Sequence, residues 1–295
     1  MPLAAALDLV TAAQRGGYAV GYFESWNLES LQGVLDAAEQ TRSPIIIGFN
    51  GEFLSHPARR TVEQISWYGA LARAAAASAS VPCGLLFNEC ARESAIREAI
   101  AAGFSMVMLD DPAAAPVDRQ RRVTELVRYA HDRGVAVEAE VGELPCGAEG
   151  TVAAHEGLTD PAAAAAFVAA TGIDILAVSV GNVHILLNGE RQLDLEHLAA
   201  IHRQVRVPLD LHGGTGIPAA ALRQAIALGV AKVCYGTYVK QRYLETLRKA
   251  LATEVANPHR RLGLGGAEDL LVAGRQAVRD AVLERIETLG CCGKA

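Results

Sequence analysis

Apolar positions recur along the chain with two alternating periods. Eight short runs are rich in β-branched or other apolar residues: AVGYF (19–23), PIIIGF (44–49), GLLFN (84–88), MVMLD (106–110), AVEAEV (136–141), ILAVSV (175–180), PLDLH (208–212) and AKVCY (231–235). Between them lie longer stretches with apolar residues three and four apart, such as LESLQGVLDAAEQ, ARESAIREAIAAG, DRQRRVTELVRYAHDRG and IPAAALRQAIALG. The first set has strand length and the second has helical spacing. Several helical stretches close on glycine, at Gly103, Gly134, Gly172 and Gly229, as helix C-termini do. Thr159-Asp160-Pro161 reads as a helix start, with a capping side chain before a proline in the first turn. Regular alternation of strand and helix requires parallel strands joined by right-handed crossovers. Eight repeats without a linker predict an α/β fold, a closed (β/α)8 TIM barrel in one domain spanning residues 1–295. Two further helices are expected at about 238–256 and 267–289. A Gly-rich stretch at 142–158 is long enough to be a mobile active-site loop.

Composition narrows the function classes. The chain has 295 residues and a net charge of −6, without a dense Lys/Arg run, which argues against nucleic-acid binding. Apolar stretches are broken by charges well short of the ~20 residues that span a bilayer, so no membrane partner is expected. The N-terminal stretch has no basic start before its apolar residues and reads as an amphipathic helix. The six cysteines contain no CxxC pair, which suggests a reducing, cytoplasmic setting.

Barrel enzymes carry their chemistry where strands end. Here the predicted ends hold Glu24, Asn50, Asn88-Glu89, Asp110, Glu138 and Glu140, Asn182, His184, His212 and Cys234. Glu138 and Glu140 are two apart, so both should point into the barrel while Val137, Ala139 and Val141 face the helices. Buried carboxylates call for a metal, a catalytic role or a shared proton, or else an Arg or Lys partner in the core. His184 and His212 fall at the ends of adjacent strands, a placement that suits two imidazole ligands of one divalent ion. Gly213-Gly214-Thr215-Gly216 and Gly236-Thr237 are turns that could offer backbone N–H groups to an anion. Cys90 and Cys146 are candidate soft ligands of lower rank, and His155, His197, His202 and His259 read as solvated. Arg260 and Arg275 are candidates to meet an anionic group, against the plainer reading of surface charge.

LTDP (158–161), TGIDILAVSVGNVH (171–184), VPLDLHGGTGI (207–217) and KVCYGT (232–237) resemble the class II, zinc-dependent fructose- and tagatose-bisphosphate aldolases. VEAEVG (137–142) looks like that family's VEAELG, GFSMVMLD (103–110) like its GFTSVMID, and CCGKA like its C-terminal tails. The resemblance implies a divalent metal, zinc first and manganese, cobalt or iron as alternatives. Two of the family's metal-binding His match His184 and His212. The third, with a catalytic Asp before it, falls on Asn88-Glu89. Glu89 would keep a metal ligand. Asn88 would remove a proton carrier, since an amide is neither general acid nor base. The loop carboxylate of the family is matched most nearly by Glu149, with Glu140 as the other candidate. Substrate contacts are implied for Asn27, Asn182, Gly213, Gly214, Thr215, Cys234, Gly236 and Thr237.

The departures bear on substrate. The glycine of the family's GNxHG is Ile185, the asparagine of its KxN is Cys234, and a nearby lysine position is Asn188. The added branched side chain and the lost cation both weaken the case for a bound phosphate. The resemblance therefore implies an aldolase-type lyase acting on a ketose or sugar phosphate through a metal-stabilised enediolate, with a substrate other than the standard bisphosphate. The alternatives are an isomerase or epimerase using only the enediolate half of that chemistry, or a non-catalytic metal- or sugar-binding relative. A homodimer or homotetramer is implied by the resemblance alone.

Overall fold

The computed structural model describes residues 3–142, 144–146 and 157–295. A helix, α1 (Ala6–Gly16), precedes β1 (Val20–Glu24), and α2 (Leu28–Thr41) leads to β2 (Ile45–Asn50). A single turn, α3 (Gly51–Ser55), and α4 (Ile65–Ser78) lead to β3 (Cys83–Cys90). Then follow α5 (Glu93–Ala102), β4 (Met106–Leu109), α6 (Pro116–His131), β5 (Ala136–Val141), α7 (Pro161–Thr171) and β6 (Ile175–Val178). The last repeats are α8 (Leu195–Gln204), β7 (Leu209–Leu211), α9 (Ala219–Ala227) and β8 (Val230–Tyr235). The strands pair in parallel and in chain order, and β8 pairs back onto β1, so the sheet closes as a (β/α)8 TIM barrel.

Nearly every strand residue is buried, because a parallel barrel is covered outside by helices and filled inside by its own side chains. That double burial is why the strands read as continuous apolar runs. The helix ends follow their capping chemistry. Asp160 accepts from the Ala163 N–H with Pro161 in the first turn of α7, and Gly103 and Gly172 close α5 and α7 in the left-handed conformation.

The expected C-terminal helices are α10 (Thr237–Leu251) and α12 (Leu270–Ile286), separated by the short α11 (Pro258–Arg261). Helix α12 packs across α2 and α10. A Cβ at Gly33 of α2 would lie 2.5 Å from the Arg275 carbonyl oxygen, so the two helices meet backbone to backbone. Arg275 locks this contact with two hydrogen bonds of 2.6 Å to Asp36. It is therefore an in-chain clasp. Arg260 likewise pairs with Glu268 at 2.7 Å. Among the described residues no helix is long and apolar enough to cross a membrane.

Candidate active site

Strand β3 delivers two consecutive residues to one cavity. Neighbours in a regular strand face opposite sides. Here the register between β3 and β4 shifts between Phe87 and Cys90, and Glu89 adopts φ 44°. This bulge turns Glu89 inward beside Asn88, so both line the same cavity of about 280 Å³. A left-handed conformation at a non-glycine residue is strained, and such strain gathers at functional sites.

His212 follows β7 directly. Its Nδ1 lies 2.5 Å from Glu89 Oε1. On its other side, Nε2 lies 2.9 Å from Glu138 Oε1 and 3.0 Å from Asp210 Oδ2. Carboxylates that accept from Nε2–H fix the ring and leave Nδ1 facing Glu89. His184 lies past the end of β6, where its N–H donates to the Pro145 carbonyl at 2.9 Å and a bridge to Cys146 holds it. The two imidazole centroids are 5.6 Å apart. Asn50 Nδ2 donates to Glu89 Oε2 at 2.5 Å, so the second carboxylate oxygen is also held.

Glu89, His184 and His212 each offer a ligand atom, all within 4.8 Å of one another. Burial alone would raise the Glu89 carboxyl, but the hydrogen bond and charge of His212, with help from His184 and Asn50, bring it to about 2. It is an anion at neutral pH. Burial lowers the His184 pKa against the pull of Glu89, which keeps its lone pair available. His212 differs: burial would lower it, but Cys234 and Asp210 hold its pKa well above the ordinary imidazole value, so it must give up a proton to bind an ion. With that proton lost, two imidazoles and a carboxylate fit a divalent ion.

A second group of potential ligands, Glu138, Asp210, His212 and Cys234, lies deeper. Its cation is already present. Lys232 Nζ sits 2.9 Å from Glu138 Oε2, 2.8 Å from Asp210 Oδ2 and 3.0 Å from Cys234 Sγ. An ammonium with these partners makes the group an ion-pair network beneath the site. Glu138 therefore needs no metal of its own, because the core lysine answers it, although burial and the Asp210 charge still leave its carboxyl above the usual range against the pull of Lys232. Glu140 has no such partner. Burial, with Asp110 and Glu89 adding and His212 opposing, pushes it up to about 8. Burial and the Glu89 charge push Asp110 up to about 6.

Glu24, Tyr22 and Lys240 line the same cavity. Glu24 Oε1 accepts from Lys240 Nζ at 2.6 Å, and the Lys240 ammonium lies 4.2 Å from the centre of the Phe53 ring. The other carboxylate oxygen of Glu24 lies against Gly236, where any side chain would collide with it. Two buried polar atoms of residues lining this cavity, Asn88 Oδ1 and Tyr22 Oη, have no hydrogen-bond partner among the described residues.

Of the residues expected to meet substrate, Gly213, Thr215, Cys234, Gly236 and Thr237 line the cavity. Gly214 adjoins it, but its N–H is spent on the Cys234 carbonyl at 3.0 Å. Asn182 is a brace: its amide donates to the Val178 and His212 carbonyls at 3.1 and 3.0 Å. Asn27 caps α2, accepting from Ser30 N–H and donating to Tyr243 Oη. Glu149 and His155 lie outside the described residues. Cys90 is buried beside Ser55, 3.6 Å from its hydroxyl, and Cys146 is exposed. His197 is not solvated as expected, since Nε2 meets the Thr159 carbonyl at 2.7 Å.

Tyr22, Asp210, Lys232 and Lys240 were not legible as site residues. A signal existed for two of them. Asp210 precedes His212 by two in a strand, and Lys232 precedes Cys234 by two, so each shares the inward face of a residue already singled out.

A divalent-ion donor set at the C-terminal mouth of a (β/α)8 barrel defines a class of metal-dependent barrel enzymes. Residues 4–294 match the family described as Fructose-bisphosphate aldolase class-II. The chain is 32% identical over 300 residues to the fructose-bisphosphate aldolase of Geobacillus stearothermophilus, covering 100% of this chain and 99% of that one. It is 31% identical over 302 residues to the fructose-bisphosphate aldolase of Staphylococcus epidermidis strain RP62A, with 100% of each covered. It is also similar to the crystal structure of the YdjI aldolase from Escherichia coli K12, with TM-score 0.80, 31% identity and 99% of each chain covered. The chain belongs to the class II fructose-bisphosphate aldolase family. Class II aldolases are divalent-metal dependent, and Glu89, His184 and His212 are the residues that could hold the ion.

Proposed function

We propose that this chain is a divalent-metal-dependent aldolase-type lyase that splits a hydroxy-ketone of the ketose or sugar-phosphate class, and that the standard bisphosphate is not its substrate. The observation that carries this reading is the convergence of Glu89, His184 and His212 beside Asn88 in one cavity. A bound ion, zinc first and manganese, cobalt or iron as alternatives, would supply Lewis-acid polarisation of a ketone carbonyl. Glu138 and Asp210 hold the His212 ring in position, and Asn50 holds Glu89.

The proton steps fall to other residues. Asn88 can orient a substrate oxygen through its amide but carries no transferable proton. Glu140 is protonated at neutral pH in the metal-free protein. A nearby cation would bring its pKa down toward neutrality, where a carboxyl can both take and give a proton. Glu140 is thus a candidate proton carrier among the described residues, beside Asp110 at about 6, and Glu149 remains the loop candidate. Asn88 also favours a second reading, an isomerase or epimerase that removes and returns a carbon proton without cleaving the carbon–carbon bond.

Metal analysis and solvent-deuterium exchange test both readings. The purified protein should hold about one equivalent of divalent metal, bound through the ligand set above. It should exchange the carbon proton of a dihydroxyacetone-type donor in D2O. Exchange with cleavage supports the lyase, exchange without cleavage supports the isomerase, and metal-dependent exchange of neither dihydroxyacetone nor its phosphate rules out both.

A further inference from the structure

The cavity that holds the metal-ligand cluster also carries charges that a phosphate ester would not choose. Glu24 is 7% exposed and stands at the end of β1. Its carboxylate leans on Gly236, at the start of α10, where backbone N–H groups and the helix dipole would otherwise favour a dianion. The Lys240 ammonium, the nearby cation, is engaged by the same carboxylate at 2.6 Å. A phosphate entering here would meet Glu24 directly. Like charges at such range in a partly desolvated wall are strongly unfavourable.

The pair is well made for a neutral group. A hydroxyl is both donor and acceptor, so it can donate to Glu24 and accept from Lys240 at once. An ammonium would be repelled by Lys240 as a phosphate is by Glu24. Two more features of the same cavity await a neutral polar ligand, namely the unpartnered Tyr22 Oη and the unpartnered Asn88 Oδ1. Buried polar atoms of this kind are rare unless something binds them.

We infer that the donor half of the substrate is an unphosphorylated hydroxymethyl ketone, and that Glu24, paired with Lys240, is the residue that selects its free terminal hydroxyl against a phosphate ester. This rests on the reading of the cavity as a donor-ketone site, and it is separable from the reaction itself because it concerns binding.

The zinc-loaded protein is titrated with dihydroxyacetone and with dihydroxyacetone phosphate by ligand-observed NMR, and carbon-proton exchange in D2O is followed for both. The wild type should bind and exchange the free ketone in preference to the phosphate. Glu24→Gln keeps a hydrogen bond to Lys240 and removes the anion, so it should improve phosphate-ester affinity about tenfold or more and shift the preference toward it. Lys240→Met should weaken the free ketone without gaining the phosphate ester. Selective binding that reverses in Glu24→Gln, without exchange, would uphold the inference while removing the proposed lyase and isomerase activities. Tighter wild-type binding of the phosphate ester, an unchanged preference in folded Glu24→Gln, or binding of neither ligand would overturn it.

Discussion

Replacing Lys232 with methionine removes the ammonium shared by Asp210 and Glu138 while keeping most of the side-chain volume. All three side chains are 0% exposed, and the contacts are 2.8 and 2.9 Å. At an effective dielectric constant near 20, each contact carries roughly 6 kcal/mol of attraction, offset by the desolvation of the lysine itself. Breaking one partner out of a buried pair costs about 3–5 kcal/mol. The variant has an escape, which is to protonate one carboxyl. From an ordinary pKa near 4.3, that costs roughly 3.7 kcal/mol at pH 7. The expected destabilisation is therefore about 3–4 kcal/mol, or roughly 6–15 °C in Tm.

The pH dependence has a definite sign. Burial would raise the Asp210 carboxyl, but Lys232 and then His212 hold it below the usual carboxylate range in the wild type. A depressed carboxyl contributes stability that is present above its unfolded value and lost as pH falls through its folded value. Without Lys232, burial prevails and the folded variant takes up a proton that the unfolded chain lacks. The stability gap between wild type and Lys232→Met should then widen by about 1.4 kcal/mol per pH unit between pH 5 and pH 7. Urea denaturation of the metal-free proteins across this range measures it. Equal stability at pH 7, or a gap that does not change with pH, would refute the account of Lys232 as the cation of this network.

Other outcomes follow from the same geometry. Glu89→Gln should lower zinc affinity by more than about 100-fold, whereas Glu138→Gln, which reaches the ligand cluster through the far nitrogen of His212 and also pairs with Lys232, should cost about 10–100-fold. Competition with a chelating dye compares them, and equal losses would contradict Glu89 as a ligand. Ile185 is a β-branched residue at φ 50° and is 40% exposed, so in Ile185→Gly the relief of about 1–2 kcal/mol of backbone strain should be offset by about 0.5–1 kcal/mol of glycine entropy and by the lost side-chain contacts, leaving Tm nearly unchanged. A fall of many degrees would show that its packing outweighs the strain. The Glu140 carboxyl should titrate at about 8 in the metal-free protein by carbon-13 NMR, and lower once zinc is bound. No movement on adding zinc would place Glu140 away from the ion. Asn88→Asp restores a proton carrier, and it should raise cleavage of an unphosphorylated hydroxy-ketone but not of a bisphosphate while Glu24 remains.

The order of elements was legible in the sequence because each is a local consequence of pattern. Strands buried on both faces read as apolar runs, and helices read as amphipathic stretches closed by Gly103 or Gly172 or started by Asp160. His184, His212 and Glu89 were legible as a candidate ligand cluster because motif and strand order together set them at one mouth. Asn27 and Asn182 were legible as polar positions, but the Asn27 bond to Tyr243 and the Asn182 brace on the His212 carbonyl were not, since those partners are remote in sequence.

What the sequence determined by itself is therefore the alternation that closes the barrel and the identity of the residues at its strand ends. Tertiary structure decided which way those residues face and what answers their charge. The β3 bulge turns Glu89 to the same side as Asn88, against the strict alternation of a strand. Lys232, 94 positions from Glu138, converts an apparent metal group into an ion pair. Lys240, 216 positions from Glu24, pairs with it in the lining of the same cavity. Local pattern reports burial, because burial recurs with the period of the element. Charge pairing across a barrel has no period, because it depends on which strands and loops closure brings together.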